Sequence, residues 1–245
     1  MMSRSKDEAL ASAQEQWAQL GDSDPLWAVL TERSRSGGRW DIDEFLQSGV
    51  EEIDEVAKRL EELGVSTPQG TSLDFGCGAG RLTQALSKRI GAAVGVDVSG
   101  PMIEQAERIN QAGTTCRFVL NVHSDLSVIE SASIDLLYCC RVLQHMDPVL
   151  ARAYIEEFFR VVRPGGIVIF QIPDSPSMRA KGLMVRVLPT GIANRLRKGM
   201  EMHGTRKQDV VDLVGRSSGR LLSCDDDDSA GPGWTSYKYF CVKES

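Results

Sequence analysis

Apolar positions in the first seventy residues recur at helical spacing. Phe45, Leu46, Val50, Ile53, Val56, Ala57 and Leu60 fall on one face of a segment whose other face is Glu, Asp, Lys and Arg, the pattern of a helix packed on one side and wet on the other. Asp41 stands where it can cap that helix, with Glu44 three residues on as a capping-box partner. Residues 9–20 are rich in Ala, Gln and Glu and favour another helix, ending at Gly21 before the turn-forming Asp22-Ser23-Asp24-Pro25. No convincing alternating strand interrupts this stretch. Residues 1–70 are therefore expected to form an N-terminal helical cap on a larger domain over 71–245.

From Thr71 the pattern changes to short β-rich runs separated by helical stretches, which argues for a parallel sheet wrapped by helices. Strands are expected over 72–75, 93–98, 116–120, 134–140 and 167–172, with helices over 81–89, 101–111 and 148–162. Arg163-Pro164-Gly165-Gly166 suits a sharp helix-to-strand turn. Residues 220–224 and 236–242 read as two more strands around a polar run of four aspartates, Asp225 to Asp228, and Gly231-Pro232-Gly233. No internal repeat is present.

The chain has 245 residues, 42% hydrophobic and 25% charged, enough for one sizeable core and too apolar for a disordered tail or a fibre. The net charge of −6 leaves no whole-chain basic footprint for duplex nucleic acid. No run approaches a membrane span, and the residues after Met1 lead into no signal-type apolar stretch, so the expected address is the cytoplasm with no integral membrane association. The six cysteines are scattered, with no C-x-x-C pair and no histidine at zinc-ligand spacing. They read as reduced thiols, and no metal site is expected.

The chemistry concentrates where the first strand gives way to a helix, in Leu73-Asp74-Phe75-Gly76-Cys77-Gly78-Ala79-Gly80-Arg81. Glycines let backbone approach a ligand, and a helix N-terminus offers free N–H groups. The spacing is G-x-G-x-G and not the G-x-G-x-x-G of dinucleotide binders. Asp74 would oppose a pyrophosphate by like charge but suits a ligand bearing an ammonium group. In Gly95-Val96-Asp97-Val98-Ser99, Asp97 ends the next strand, placed to accept hydrogen bonds from both hydroxyls of a ribose.

These motifs resemble those of the class I S-adenosylmethionine-dependent methyltransferases, in the small-molecule branch related to ubiquinone- and menaquinone-type and natural-product enzymes. The resemblance covers residues 71–172 well and the flanks loosely. It extends to Ile134-Asp135-Leu136-Leu137, like the family's fourth strand, and to Arg160-Val161-Val162-Arg163-Pro164-Gly165-Gly166, like its turn before the fifth. The resemblance implies a Rossmann-like α/β fold: a seven-stranded, mostly parallel sheet with the last strand antiparallel and helices on both faces. It implies S-adenosylmethionine as cofactor, with Asp74, Gly76, Cys77, Gly78 and Gly80 around its methionine part, Asp97 on the ribose, Val98 and Met102 against the adenine, and the main chain at Cys139 and Cys140 meeting the methionine amine. The family often has an acid beside the adenine amine at the end of the third strand, where this chain has Leu120-Asn121-Val122-His123-Ser124-Asp125. Either Asn121, next to Val122, replaces that acid or Asp125 does so after a small shift; His123 reads as a solvent-facing loop residue.

His145, just beyond the fourth strand in Val142-Leu143-Gln144-His145-Met146-Asp147-Pro148, sits where open α/β sheets place ligands. A histidine is suited to removing a proton near neutrality, and the matching histidine acts so in some sugar and natural-product O-methyltransferases of the family; in others it only shapes the loop. Gln144 either orients the acceptor or caps the next helix. Trp40 and Phe45 are candidates to fold over the cofactor mouth, or ordinary core. Residues 175–204 hold six basic side chains (Arg179, Lys181, Arg186, Arg195, Arg197, Lys198) against one acidic, Glu201, with apolar residues interleaved. That insert suits a cap that receives an anionic or lipid-linked small molecule, one in peripheral contact with a membrane surface, or a plain structural cover. The expected reaction is methyl transfer to an oxygen of such a molecule, less favourably to nitrogen or carbon. The rivals are a SAM-binding scaffold that turns nothing over and, disfavoured by Asp74 and the glycine spacing, an NAD(P)-dependent oxidoreductase. A nucleic-acid amino-methyltransferase would want an Asn/Asp-Pro-Pro-aromatic run after the fourth strand, and Cys139-Cys140-Arg141-Val142 is not that.

Overall fold

The computed structural model of the chain describes residues 5–177 and 201–245. Two helices, α1 (Lys6–Ser23) and α2 (Pro25–Val29), are followed by the long α3 (Ile42–Glu62). The alternating core comes next: β1 (Gly70–Phe75), α4 (Arg81–Ile90), β2 (Gly91–Asp97), α5 (Gly100–Arg108), β3 (Cys116–Leu120), β4 (Ile134–Cys139), α6 (Pro148–Val161) and β5 (Val162–Pro176). After the undescribed stretch the chain closes with α7 (Lys207–Arg216), β6 (Gly219–Asp226) and β7 (Trp234–Lys243).

The strands form one sheet in the order β3-β2-β1-β4-β5-β7-β6. β1 to β5 pair in parallel, while β7 runs antiparallel to both β5 and β6. The expected seven-stranded Rossmann-like sheet is therefore present. Because β1 leads outward to β2 and β3 and the chain then returns to β4, the loops leaving β1 and β4 diverge and open a crevice at their carboxyl ends.

Alternation along the strands sends side chains to two apolar layers. Leu137, Cys139, Val168 and Phe170 meet α6 and α7 through Leu150, Phe158, Val210 and Leu213 on one face. Leu136, Tyr138, Ile167 and Ile169 meet α3 and α4 through Val56, Leu60, Leu82 and Leu86 on the other. The N-terminal segment thus supplies a core layer through α3 as well as a cover through α1 and α2.

Several boundaries differ from the pattern-based reading for local reasons. α1 continues through Gly21 because the helix lies tight on α5, where an added Cβ would sit 3.1 Å from Ser99 Oγ and 3.2 Å from Pro101. Pro25 then opens α2 from its first turn, where a missing N–H costs nothing. Asp41 caps α3 through the N–H groups of Asp43 and Glu44, but the expected return contact from Glu44 is replaced by an ion pair to Arg35 at 2.6 Å. β5 already pairs at Val162, with a register shift between Ile134 and Leu136 absorbing the Pro-Gly-Gly turn.

Candidate functional site

The crevice holds a cavity of about 740 Å³, within the range of small-molecule sites. One wall is the loop between β1 and α4. Its amides at Gly76 and Cys77 both bond the Val96 carbonyl, at 2.8 and 3.0 Å, so the loop is fastened to β2. Gly76 has φ of 75°, and a Cβ there would collide with Val142 beyond β4. Gly80 has φ of 80° and a Cβ there would come within 2.7 Å of the Phe118 ring. The loop's conformation and its packing both require glycine at these positions.

Asp97 faces the cavity from the end of β2. Its Oδ2 accepts from the Gly78 amide at 2.8 Å and its Oδ1 from Ser99 at 2.9 Å. Burial raises its pKa, opposed by hydrogen bonds from the Ser99, Gly78 and Val98 amides. A carboxylate offers about four acceptor positions, so acceptor capacity remains for a ligand. Met102 and Val98 extend this end of the cavity, followed by Asn121 after β3. The Asn121 amide nitrogen is taken up by the main-chain oxygens of His123 and Asp125, at 3.3 and 2.8 Å, which fold the loop after β3.

The rest of the lining comes from Leu10, Ala13 and Trp17 of α1, from Trp27, Val29 and Leu30 in and after α2, and from Met146, Tyr154, Met202 and residues 229–231. His145 lies in a short 3-10 turn, Leu143–His145, with its ring edge-on to Trp17 at 5.3 Å. Its Nδ1 is 2.8 Å from the Glu201 carbonyl oxygen and its Nε2 is 3.0 Å from Gln144 Nε2.

A charge cluster around Glu52 backs the cavity wall. Glu52 of α3 accepts from Arg81 at 2.7 Å, from Arg141 at 3.1 Å and from the Tyr138 hydroxyl at 2.8 Å. Burial pushes the Glu52 carboxyl up, but the two guanidiniums and the hydroxyl outweigh it and hold it well below the usual carboxylate range. Arg81 and Arg141 both reach the cavity wall. Two guanidiniums against one carboxylate leave a net positive charge there. Arg141 adopts φ of 62°, and its amide is held by Gln171 Oε1.

The structure thus brings Gly76, Cys77, Gly78, Asp97, Val98, Met102, Asn121, Cys140, Gln144 and His145 around one cavity. Asp74 and Gly80 do not line it. Asp74 is 1% exposed behind the loop, where it accepts from the Thr83 hydroxyl at 2.7 Å, and burial raises its pKa to about 7 despite that bond. Val122 is exposed and edges a shallow surface recess with Asp7, His123 and Asp125. Trp40 and Phe45 are not at the mouth: Phe45 is fully buried among Leu26, Leu46, Ala79 and Ile109, and Trp40 stacks edge-on against it while bonding the Leu30 carbonyl. Both brace the roof from behind. The basic side chains of the 175–204 insert lie outside the described residues. Trp17 and the Glu52 cluster belong to no motif, although Leu10, Ala13 and Trp17 share one helical face, a signal the sequence holds.

A methyltransferase-domain family model matches residues 73–166. With the relatives and the sheet order, that match supports a class I S-adenosylmethionine-dependent methyltransferase. It is 26% identical over 163 residues to the 2-methyl-6-phytyl-1,4-hydroquinone methyltransferase of Synechocystis, a match covering 66% of this chain and 50% of that one. It is 27% identical over 133 residues to the ubiquinone biosynthesis O-methyltransferase of Methylococcus capsulatus, covering 54% of each. The chain therefore spans about half the length of these curated relatives. In fold it is similar to the magnesium protoporphyrin IX methyltransferase of Synechocystis solved with bound SAH, with a TM-score of 0.65, 18% identity, and 95% of this chain and 98% of that one covered. The glycine loop, Asp97 and the β4 turn all fall inside the matched segment. Most of the cavity's roof, from α1, α2 and residues 201–231, falls outside it. Among the described residues no helix is long and apolar enough to cross a membrane.

Proposed function

We propose that this chain transfers a methyl group from S-adenosylmethionine to an oxygen of a small apolar molecule that carries an anionic group. The observation that carries this reading is a cavity lined together by the glycine loop, Asp97 and the His145 imidazole. The residues present fit the cofactor. Asp97 keeps acceptor capacity for the ribose hydroxyls beside its bonds from Gly78 and Ser99, and the fastened loop lines the same cavity at Gly76, Cys77 and Gly78. Asn121 and Met102, in the same lining, would meet the adenine.

When bound, the cofactor supplies a methyl on an already activated sulfonium, so the protein's main task is alignment. Orientation is worth roughly 7–11 kcal/mol in favourable cases, against about 10²–10⁴-fold for a general base. The roof residues Trp17, Trp27 and Leu30 exclude water and hold the acceptor's apolar body. Arg141, with part of its side chain open to the cavity, meets the anionic group. His145 takes the acceptor's proton. The O-methyltransferase among the relatives supports oxygen as the methylated atom.

The test is a screen of phenolic, carboxylic and lipid-linked acceptors with S-adenosylmethionine, read by mass spectrometry. A gain of one methyl on an acidic, apolar compound is expected. Cofactor binding without methylation of any acceptor class would overturn the reading in favour of a silent SAM-binding scaffold.

A further inference from the structure

The groups behind His145 form a hydrogen-bond chain that runs in one direction. The Arg141 main-chain N–H donates to Gln171 Oε1 at 3.0 Å. Since an N–H can only donate, that atom is the Gln171 oxygen, and its Nε2 donates to Gln144 Oε1 at 3.2 Å and to Ser236 Oγ at 2.7 Å. Gln144 then presents its own Nε2 to His145 Nε2 at 3.0 Å, which makes that ring nitrogen the acceptor. At the far end Nδ1 lies 2.8 Å from the Glu201 carbonyl, which can only accept, so Nδ1 carries the proton. Both ends are main-chain groups with one role each, and every polarity between them agrees.

We infer that Gln171 and Gln144 are positioning residues that hold the His145 ring neutral, with its proton on Nδ1 and its lone pair on Nε2. The inference rests on the reading of His145 as the group that takes the acceptor's proton, because only a lone pair on Nε2 can do so while Nδ1 stays on Glu201. Gln171 is fully buried in β5 and does not line the cavity, so it acts only through Gln144. A proton on Nε2 would set two donors face to face. Gln144 cannot turn its amide to relieve this without breaking the bond from Gln171, whose two amide hydrogens are both committed. An acceptor hydroxyl that displaces the Gln144 amide therefore meets a nitrogen already prepared to accept.

The polarity can be reversed by one atom. In Gln171→Glu the new carboxylate still accepts from Arg141 but has no donor for Gln144, whose amide turns over and offers its oxygen to His145. Gln144→Glu places an acceptor there directly and carries the test if Gln171→Glu fails to fold. Nitrogen-15 NMR of the full chain, with the His145 ring assigned by its loss in His145→Gln, reads the outcome at a pH where the wild-type ring is neutral. The wild type is expected to show a pyrrole-type Nδ1 and a pyridine-type Nε2, and both Glu variants a pyrrole-type signal at Nε2. A wild-type ring protonated on Nε2, or an Nε2 signal unchanged in a folded Glu variant, overturns the inference. The readout needs neither acceptor nor turnover. If Nε2 responds as described while His145→Gln methylates as fast as wild type, the base reading fails and the chain's control of the ring stands.

Discussion

Two parts of the cavity lining are built from different material. The proposed cofactor end is mostly main chain: a loop fastened to the Val96 carbonyl, glycines at positive φ, and one carboxylate held by amides. The proposed acceptor end is side chains from remote segments, with Trp17 from α1, Trp27 from α2, His145 beyond β4, Met202 and Ala230. A main-chain site admits little change, since each residue's conformation is part of the binding surface. A side-chain wall can be rebuilt residue by residue over the same sheet, which suits the part that selects an acceptor.

The contrast can be broken most forcefully at Glu52, which ties the two ends together through Arg81 and Arg141. Glu52→Ala leaves the buried Arg81 guanidinium without its carboxylate, a loss typically of about 3–5 kcal/mol. An unfolding free energy from urea melts within about 1 kcal/mol of wild type would show that the two ends are independently stable.

Asp74 sharpens the account of the cofactor end. Its folded pKa of about 7 lies above the ordinary 3.8, because burial disfavours the charge. Between those values the folded chain holds a proton that the unfolded chain has released, so this group makes stability fall as pH rises from about 4 to about 7, by about 4 kcal/mol. Asp74→Asn removes that contribution and should gain on wild type as pH climbs through this window. Equal differences between variant and wild type in urea melts at about pH 5 and about pH 8 would contradict it.

The smallest effect is expected at the acceptor end. Trp17→Ala opens the roof without touching Asp97 or the glycine loop, so affinity for S-adenosylmethionine should stay within about threefold while methylation of any acceptor found by the screen slows. A large loss of cofactor affinity by calorimetry would mean that the two ends are not separable.

The same contrast governs what the sequence reveals. The core was legible because its signals are local: β-branched runs, a glycine loop after a strand, an aspartate ending the next. Cys116–Leu120 was read to the residue as β3, and Asp97 and His145 reach the cavity from the positions their motifs suggested. The acceptor end was less legible because its parts meet only in three dimensions. Trp40 and Phe45, the large rings near the expected mouth, are buried as braces, while Trp17, in a helix of ordinary composition, forms the wall. Glu52, Arg81 and Arg141 each resemble a solvated charge in their own segment, and only the packing of α3 against α4 and β4 turns them into a buried cluster. Asp74 carries the family's motif, yet the fold turns its carboxyl to Thr83, behind the loop.

Calorimetry with S-adenosylmethionine, its demethylated product and NAD, with Asp97→Ala as the control, asks whether the cavity takes S-adenosylmethionine through Asp97 and the glycine loop. Both sulfur compounds are expected to bind and NAD is not, with affinity about 100-fold weaker in Asp97→Ala, the loss of two hydrogen bonds to a charged group at about 1.5 kcal/mol each. Binding of NAD alone, or an Asp97→Ala protein that binds S-adenosylmethionine as tightly as wild type, would contradict that expectation.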